Sequence, residues 1–152
     1  MKMKKFINDA ATVTDELLVG LGLAHSDILD VEGHLVISKD LKDADRVTIV
    51  TCGGSGHEPA QAGFVGKGML DAAVCGDVFA SPSQVQIYKA ICKTASDAGT
   101  LLIIKNYSGD MMNFRNAAHL ASEDGITVDY VKVDDDIAVK DSLYTVGRRG
   151  VA

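Results

Sequence analysis

The chain has 152 residues, 47% of them hydrophobic and 24% charged, with only 2 prolines; this is the composition of one compact domain and excludes a disordered segment or a fibre. A chain of this size buries about two thirds of the surface it would expose unfolded, so the core needs no metal or disulfide staple, and with no Trp and 5% aromatics it is expected to be aliphatic. The 21 acidic side chains outnumber the 15 basic ones, for a formal charge of −6, and no basic run exceeds Lys4-Lys5 or Arg148-Arg149, which argues against nucleic acid or an anionic membrane as partner.

Thr12-Val13-Thr14-Asp15 has the form of a capping box, and Leu17, Leu18 and Leu21 share a face behind it, so a helix is predicted from about residue 12 to 24. A polar stretch follows. Val47 to Thr51 is a short β-branched run ending in Cys52-Gly53-Gly54-Ser55-Gly56, the pattern of a buried strand entering a tight loop; Leu70 to Cys75 is a second strand, stopped by Gly76-Asp77. Ser81-Pro82-Ser83-Gln84 predicts a helix start with Ser81 as N-cap, and Val85, Tyr88, Ile91, Cys92 and Ala95 form its apolar stripe up to Gly99. Thr100 to Ile104 is a third buried strand. A further helix presents Phe114, Ala117, Ala118 and Ala121 and stops at Gly125, and Ile126 to Val133 is a fourth strand. Strands alternating with helices of this length require right-handed crossovers, so the predicted class is α/β, a mainly parallel sheet covered on both faces in three layers.

Ligands of an open parallel sheet bind beyond the carboxyl ends of the strands. Three polar loops lie there. The first, Gly53 to Pro59, has glycines that allow sharp turns and bring bare N–H groups against a small ligand, with Ser55 and His57 as further donors. It has neither the dinucleotide spacing nor the Lys-Ser/Thr of a Walker A loop, and Gln61 stands where a zinc protease would carry its second His. The second loop holds Asp77, Phe79 and Ser81; its serine is either a helix cap or a ligand contact. The third holds Lys105, placed to reach a ligand oxygen, and Asp110, which either accepts a hydroxyl proton or caps the helix that begins near Met111.

The remaining reactive side chains read as structural. Cys52, Cys75 and Cys92 are odd in number, widely spaced and set among apolar residues rather than in metal-ligand pairs, which fits a reducing cytoplasm. His25, His34 and His119 have no partner nearby in sequence, and the side chains of Asp134-Asp135-Asp136 point to alternate sides of an extended segment, so no metal site is expected. Met1 to Lys5 lacks the apolar run of a signal peptide, and no stretch approaches the ~18 apolar residues of a membrane span.

Taken together, Gly53 to Pro59, Gly63 to Leu70, Phe79 to Pro82, Ile104 to Asp110 with Asn113-Phe114, and Asp134 to Gly150 resemble dihydroxyacetone kinase in its dihydroxyacetone-binding portion; Lys5 to Asp9 also fits. Val139 to Gly150 looks closer to the separate-subunit, phosphotransferase-dependent form than to the single-chain, ATP-dependent form. The resemblance implies that Gly54, Ser55, Gly56 and His57 hold dihydroxyacetone, that Lys105 and Asp110 contact its oxygens, and that Ser81 is a further contact. It also implies that His57 and Asp110 handle the proton of the attacking hydroxyl. An aspartate of ordinary pKa, about 3.9, is a poor base in the ground state, so Asp110 is expected to act late and chiefly by orienting the hydroxyl. The family places nucleotide and Mg²⁺ on another subunit or domain, so no cofactor is expected in this chain; a nucleotide-binding partner, a phosphocarrier subunit and a homodimer of the full-length subunit are expected as partners. The family also captures substrate as a hemiaminal on a histidine of a later part of the polypeptide. His119 does not match that histidine, so residues 1–152 are expected to be the N-terminal domain, without the family's second domain and inactive alone. A non-catalytic dihydroxyacetone-sensing coactivator of transcription is the alternative, to which the retained Lys105 and Asp110 are opposed.

Overall fold

The apolar runs become strands that pair in parallel, and the amphipathic runs become helices laid on both faces. In the computed structural model, which describes residues 4–43, 45–138 and 150, the chain runs α1 (Val13–Ala24), β1 (Leu29–Glu32), β2 (Leu35–Ser38), β3 (Thr48–Ser55), β4 (Ala72–Val78), α2 (Gln84–Thr94), β5 (Thr100–Lys105), α3 (Ser108–Glu123) and β6 (Val128–Val133). The 6-stranded sheet has the order β1-β2-β4-β3-β5-β6. β3 pairs in parallel with β4 and β5, and β5 with β6. The period of two in side-chain direction divides the core. Along β4, Ala72 and Val74 pack toward α2 and α3, while Ala73 and Cys75 pack toward α1 and the 3-10 turn Ala62–Phe64. The result is the three-layer α/β sandwich that the pattern predicts.

The polar stretch after α1 departs from expectation. It holds an antiparallel hairpin, β1 with β2, and β2 adds antiparallel to the edge of the parallel sheet at β4. Asp30 and Glu32 interrupt the apolar pattern on the outer strand, whereas Leu35, Val36, Ile37 and Ser38 are all buried. Gly33, at φ +58° in the turn, has a conformation that disfavours side chains.

Both predicted capping signals resolve differently. Thr12 does precede α1, but its hydroxyl donates to Glu16 at 2.8 Å, and Asp15, the expected partner of the box, instead accepts from His34 Nε2 at 3.0 Å. The N-cap of α2 is Ser83, not Ser81: Ser83 and Gln86 form a reciprocal capping box. The sequence satisfies the S-x-x-Q rule at two registers, and the second one wins. The buried stripe of α2 accordingly shifts to Ile87, Ala90, Ile91 and Thr94, with the Thr94 hydroxyl donating to the Ala90 carbonyl at 3.0 Å, while Val85 and Cys92 face solvent. The stripe of α3 is as predicted, and its Phe114 is the exception to an aliphatic core: the largest fully buried side chain.

At the amino ends of the central strands, buried Asp71 receives both guanidinium nitrogens of Arg46, at 2.6 and 2.7 Å, and the Ile49 N–H at 2.8 Å. This fork fixes where β3 and β4 begin. No helix among the described residues is long and apolar enough to cross a membrane.

Candidate active site

The topology opens a crevice where the sequence placed the polar loops. The chain leaves β3 through the 3-10 turn on the α1 face, but leaves β5 into α3 on the opposite face. Adjacent strands whose exits diverge leave a gap beyond their carboxyl ends. That gap is an open cleft of about 490 Å³ lined by Gly54, His57, Phe79, Ser81, Lys105 and residues 107–110. All three loops therefore meet. A second cleft, of about 540 Å³, lies at the other end of the sheet. Its Lys39 and Lys93 are already engaged by Asp30 and Glu32, so the first cleft is the better place for polar chemistry.

Asp110 is inside the first turn of α3 rather than at its cap, because the helix begins at Ser108. It is only 6% exposed. Burial pushes its carboxyl above the ordinary value, while a hydrogen bond from Ser81 and the charges of Lys105 and His57 pull the other way. Lys105 is the last residue of β5, so its side chain leaves the sheet at the cleft. Ser81, released from capping, is held near α3 by Asn113, whose Nδ2 donates to the Pro82 carbonyl at 2.8 Å and approaches the Ser81 oxygen at 3.5 Å. The cleft thus pairs a buried carboxyl, its pKa raised by that burial, with a lysine and a hydroxyl.

The glycine loop is partly strand. β3 continues through Ser55, with a register shift against β4 at Gly54/Ser55. Extended alternation turns the Ser55 hydroxyl away from the cleft, where it donates to the Gly76 carbonyl at 2.7 Å, so the side chain of this predicted contact is committed elsewhere. Gly54 lines the cleft because a side chain has no room there: a Cβ would stand 2.6 Å from the Ala80 nitrogen and 2.9 Å from the Phe79 carbonyl carbon. Gly56 lies against the Phe79 ring.

Phe79 has φ +56°, a left-handed conformation that a bulky residue adopts at a cost on the order of 1–3 kcal/mol. Its N–H donates to the Ser55 carbonyl at 2.8 Å, and the Asp77 carbonyl accepts from the Ala80 N–H at 2.9 Å, closing the turn around it. Its ring meets that of His57 edge-on, with centroids 5.1 Å apart and planes at 67°. Sequence reasoning placed Phe79 in the loop without a task and passed over Tyr107 as a lining residue; the signal for the first was an aromatic between a strand end and a Ser-Pro. The segment Gly147-Arg148-Arg149 lies outside the described residues.

The model of the Dak1 domain matches residues 19–152. The chain belongs to the Dak1 domain family. Its relatives include the dihydroxyacetone-binding subunit DhaK of PTS-dependent dihydroxyacetone kinase 1 from Listeria innocua, 54% identical over 99% of this chain and 46% of that protein. The corresponding subunit from Lactococcus lactis is 51% identical over 100% of this chain and 46% of that protein. Among solved structures, the dihydroxyacetone kinase of C. freundii superposes with a TM-score of 0.87 at 41% identity, covering 98% of this chain and 28% of that one. This Dak1 domain therefore spans about half the length of the curated relatives it matches.

Proposed function

We propose that this chain is the substrate-binding part of a dihydroxyacetone kinase of the phosphotransferase-dependent type, which positions dihydroxyacetone for phosphorylation to dihydroxyacetone phosphate. The observation that carries the reading is the placement of Asp110: a nearly buried carboxyl with a raised pKa, in one cleft with Lys105, Ser81 and His57. The names of the relatives agree with it. In this reading Lys105 and the backbone at Gly54 hold the oxygens of the three-carbon ketone. Asp110 and His57 face the terminal hydroxyl. As that oxygen bonds to phosphorus and the bond from phosphorus to the donor breaks, its proton passes to the Asp110 carboxylate. An upward shift makes Asp110 a stronger base than an ordinary aspartate, so it contributes to proton removal as well as to orientation.

The phosphoryl group comes from outside the chain, from a nucleotide-binding partner subunit that a phosphocarrier recharges. Among the described residues no group of three or more His, Cys, Asp or Glu could hold a metal ion. The full-length subunit is a cytoplasmic homodimer in this reading, and its covalent capture of the ketone rests on a histidine beyond these residues. The coactivator alternative is the weaker one, since relatives named as kinase subunits match essentially the whole chain and both Lys105 and Asp110 stand in the cleft.

The test is Asp110→Asn in the full-length subunit, assayed with its partner and a phosphoryl donor. Turnover is expected to fall by about 100-fold or more, with capture of the ketone retained. Turnover at the normal rate would refute the assignment. For the 152-residue chain itself, mass spectrometry with dihydroxyacetone is expected to show no adduct, and an adduct on any of its histidines would overturn the placement of the nucleophile.

A further inference from the structure

We propose that Phe79 is a positioning residue for His57, held in a strained turn so that its ring fixes the imidazole over the cleft. Where it concerns rate, the inference rests on the kinase reading above; where it concerns geometry, it does not. His57 sits on the exposed side of the glycine loop, and among the described residues its imidazole forms no hydrogen bond. The loop backbone is anchored, with the Ala60 N–H donating to the His57 carbonyl at 3.2 Å, but that bond leaves the side-chain torsions free. The edge-on contact with Phe79 is what selects one orientation of the ring.

The surroundings of Phe79 are built for that contact. Phe79 is 70% exposed, so burial does not explain an aromatic there. Its φ of +56° suits Gly or Asn, yet the position carries neither. Two glycines make space for it: a Cβ on Gly56 would stand 2.8 Å from the ring, and one on Gly54 would stand 2.9 Å from the Phe79 carbonyl carbon. The Ser55 carbonyl ties the Phe79 N–H to the same strand end from which the His57 loop departs. A strained backbone with room left for it at Gly54, and an exposed ring with room left for it at Gly56, converge on one neighbouring side chain, and strain of this kind persists where surrounding structure enforces it.

Two measurements test the proposal. In this chain, the imidazole C–H resonances of His57 are recorded for wild type, Phe79→Gly and Phe79→Tyr. Phe79→Gly removes the ring while accommodating the positive φ, so loss of fold does not confuse the result. The expected outcome is that the His57 resonances move and average over rotamers in Phe79→Gly and stay near wild type in Phe79→Tyr; unchanged resonances in Phe79→Gly overturn the proposal. In the full-length subunit with partner and donor, Phe79→Gly is expected to lower kcat for dihydroxyacetone by about tenfold or more while KM changes by less than about threefold, and Phe79→Tyr to restore kcat. An unchanged kcat in Phe79→Gly overturns the positioning role. If wild type itself turns over no dihydroxyacetone while the resonance changes occur as expected, the kinase reading falls and the placement of His57 by Phe79 stands.

Discussion

Asp71 and Asp110 are both nearly inaccessible, at 1% and 6% exposure, yet they stand at opposite ends of the same parallel strands and are solvated by the protein in different ways. Asp71 receives a two-pronged guanidinium and a backbone N–H, so both its oxygens are occupied and its charge is matched. Asp110 has the Ser81 hydroxyl, Lys105 and His57 beside it, but burial outweighs their influence and holds its carboxyl above the ordinary value. A carboxylate that is fully matched anchors strands. One that is under-compensated, beside an open cleft, is poised to exchange a proton with whatever enters.

That contrast can be broken in three places. Asp71→Ala leaves the Arg46 guanidinium and the Ile49 N–H without their acceptor and is expected to lower the unfolding free energy by about 2–3 kcal/mol, read from urea denaturation. A loss below about 0.5 kcal/mol would place the pair among surface ion pairs of little consequence. Gly54→Ala, at the cleft end, forces the backbone at Phe79 and Ala80 to move and is expected to destabilise by about 1–3 kcal/mol, with amide shift changes concentrated at residues 54 and 79–81. Changes spread evenly over the sheet would show that the close approach is not local.

Asp110→Asn has the smallest effect on folding, and the opposite sign. The folded state raises the pKa of this carboxyl, so folding favours its protonated form. The stability that the protonated form supplies is whole below the unfolded value of about 3.9 and is lost as pH rises through the folded pKa. At pH 7 the substitution should therefore raise Tm, and the gain should vanish in acid. A Tm that falls at pH 7 would mean that Lys105 and Ser81 compensate the charge after all, and the distinction between the two aspartates would close.

Much of this arrangement was legible in the residues. The apolar runs at 47–51, 70–75 and 100–104 and the loops behind them sufficed to place His57, Lys105 and Asp110 at one edge of a parallel sheet, because strand ends in such sheets share a side. What stayed hidden depended on competition between equivalent local signals. Ser81 and Ser83 each have a glutamine three residues on, and only the tertiary environment frees the first for the cleft. Leu29 to Ser38 is too short and too interrupted by acids to announce a hairpin. The commitment of Ser55 to Gly76 follows from the continuation of β3 past Thr51 as far as Ser55, a matter of strand length that the glycine-rich sequence does not announce.

The cleft wall at Gly54, and the seat of the Phe79 ring beside it at Gly56, depend on side chains that are not there. At Gly54 even a methyl group would press on the backbone, and at Gly56 it would press on the Phe79 ring. Such a wall cannot be remodelled in small steps, since the first step is a collision rather than a graded change of shape. Change in the shape of this cleft is therefore left to positions that already carry side chains, Ser81 and Tyr107 among them.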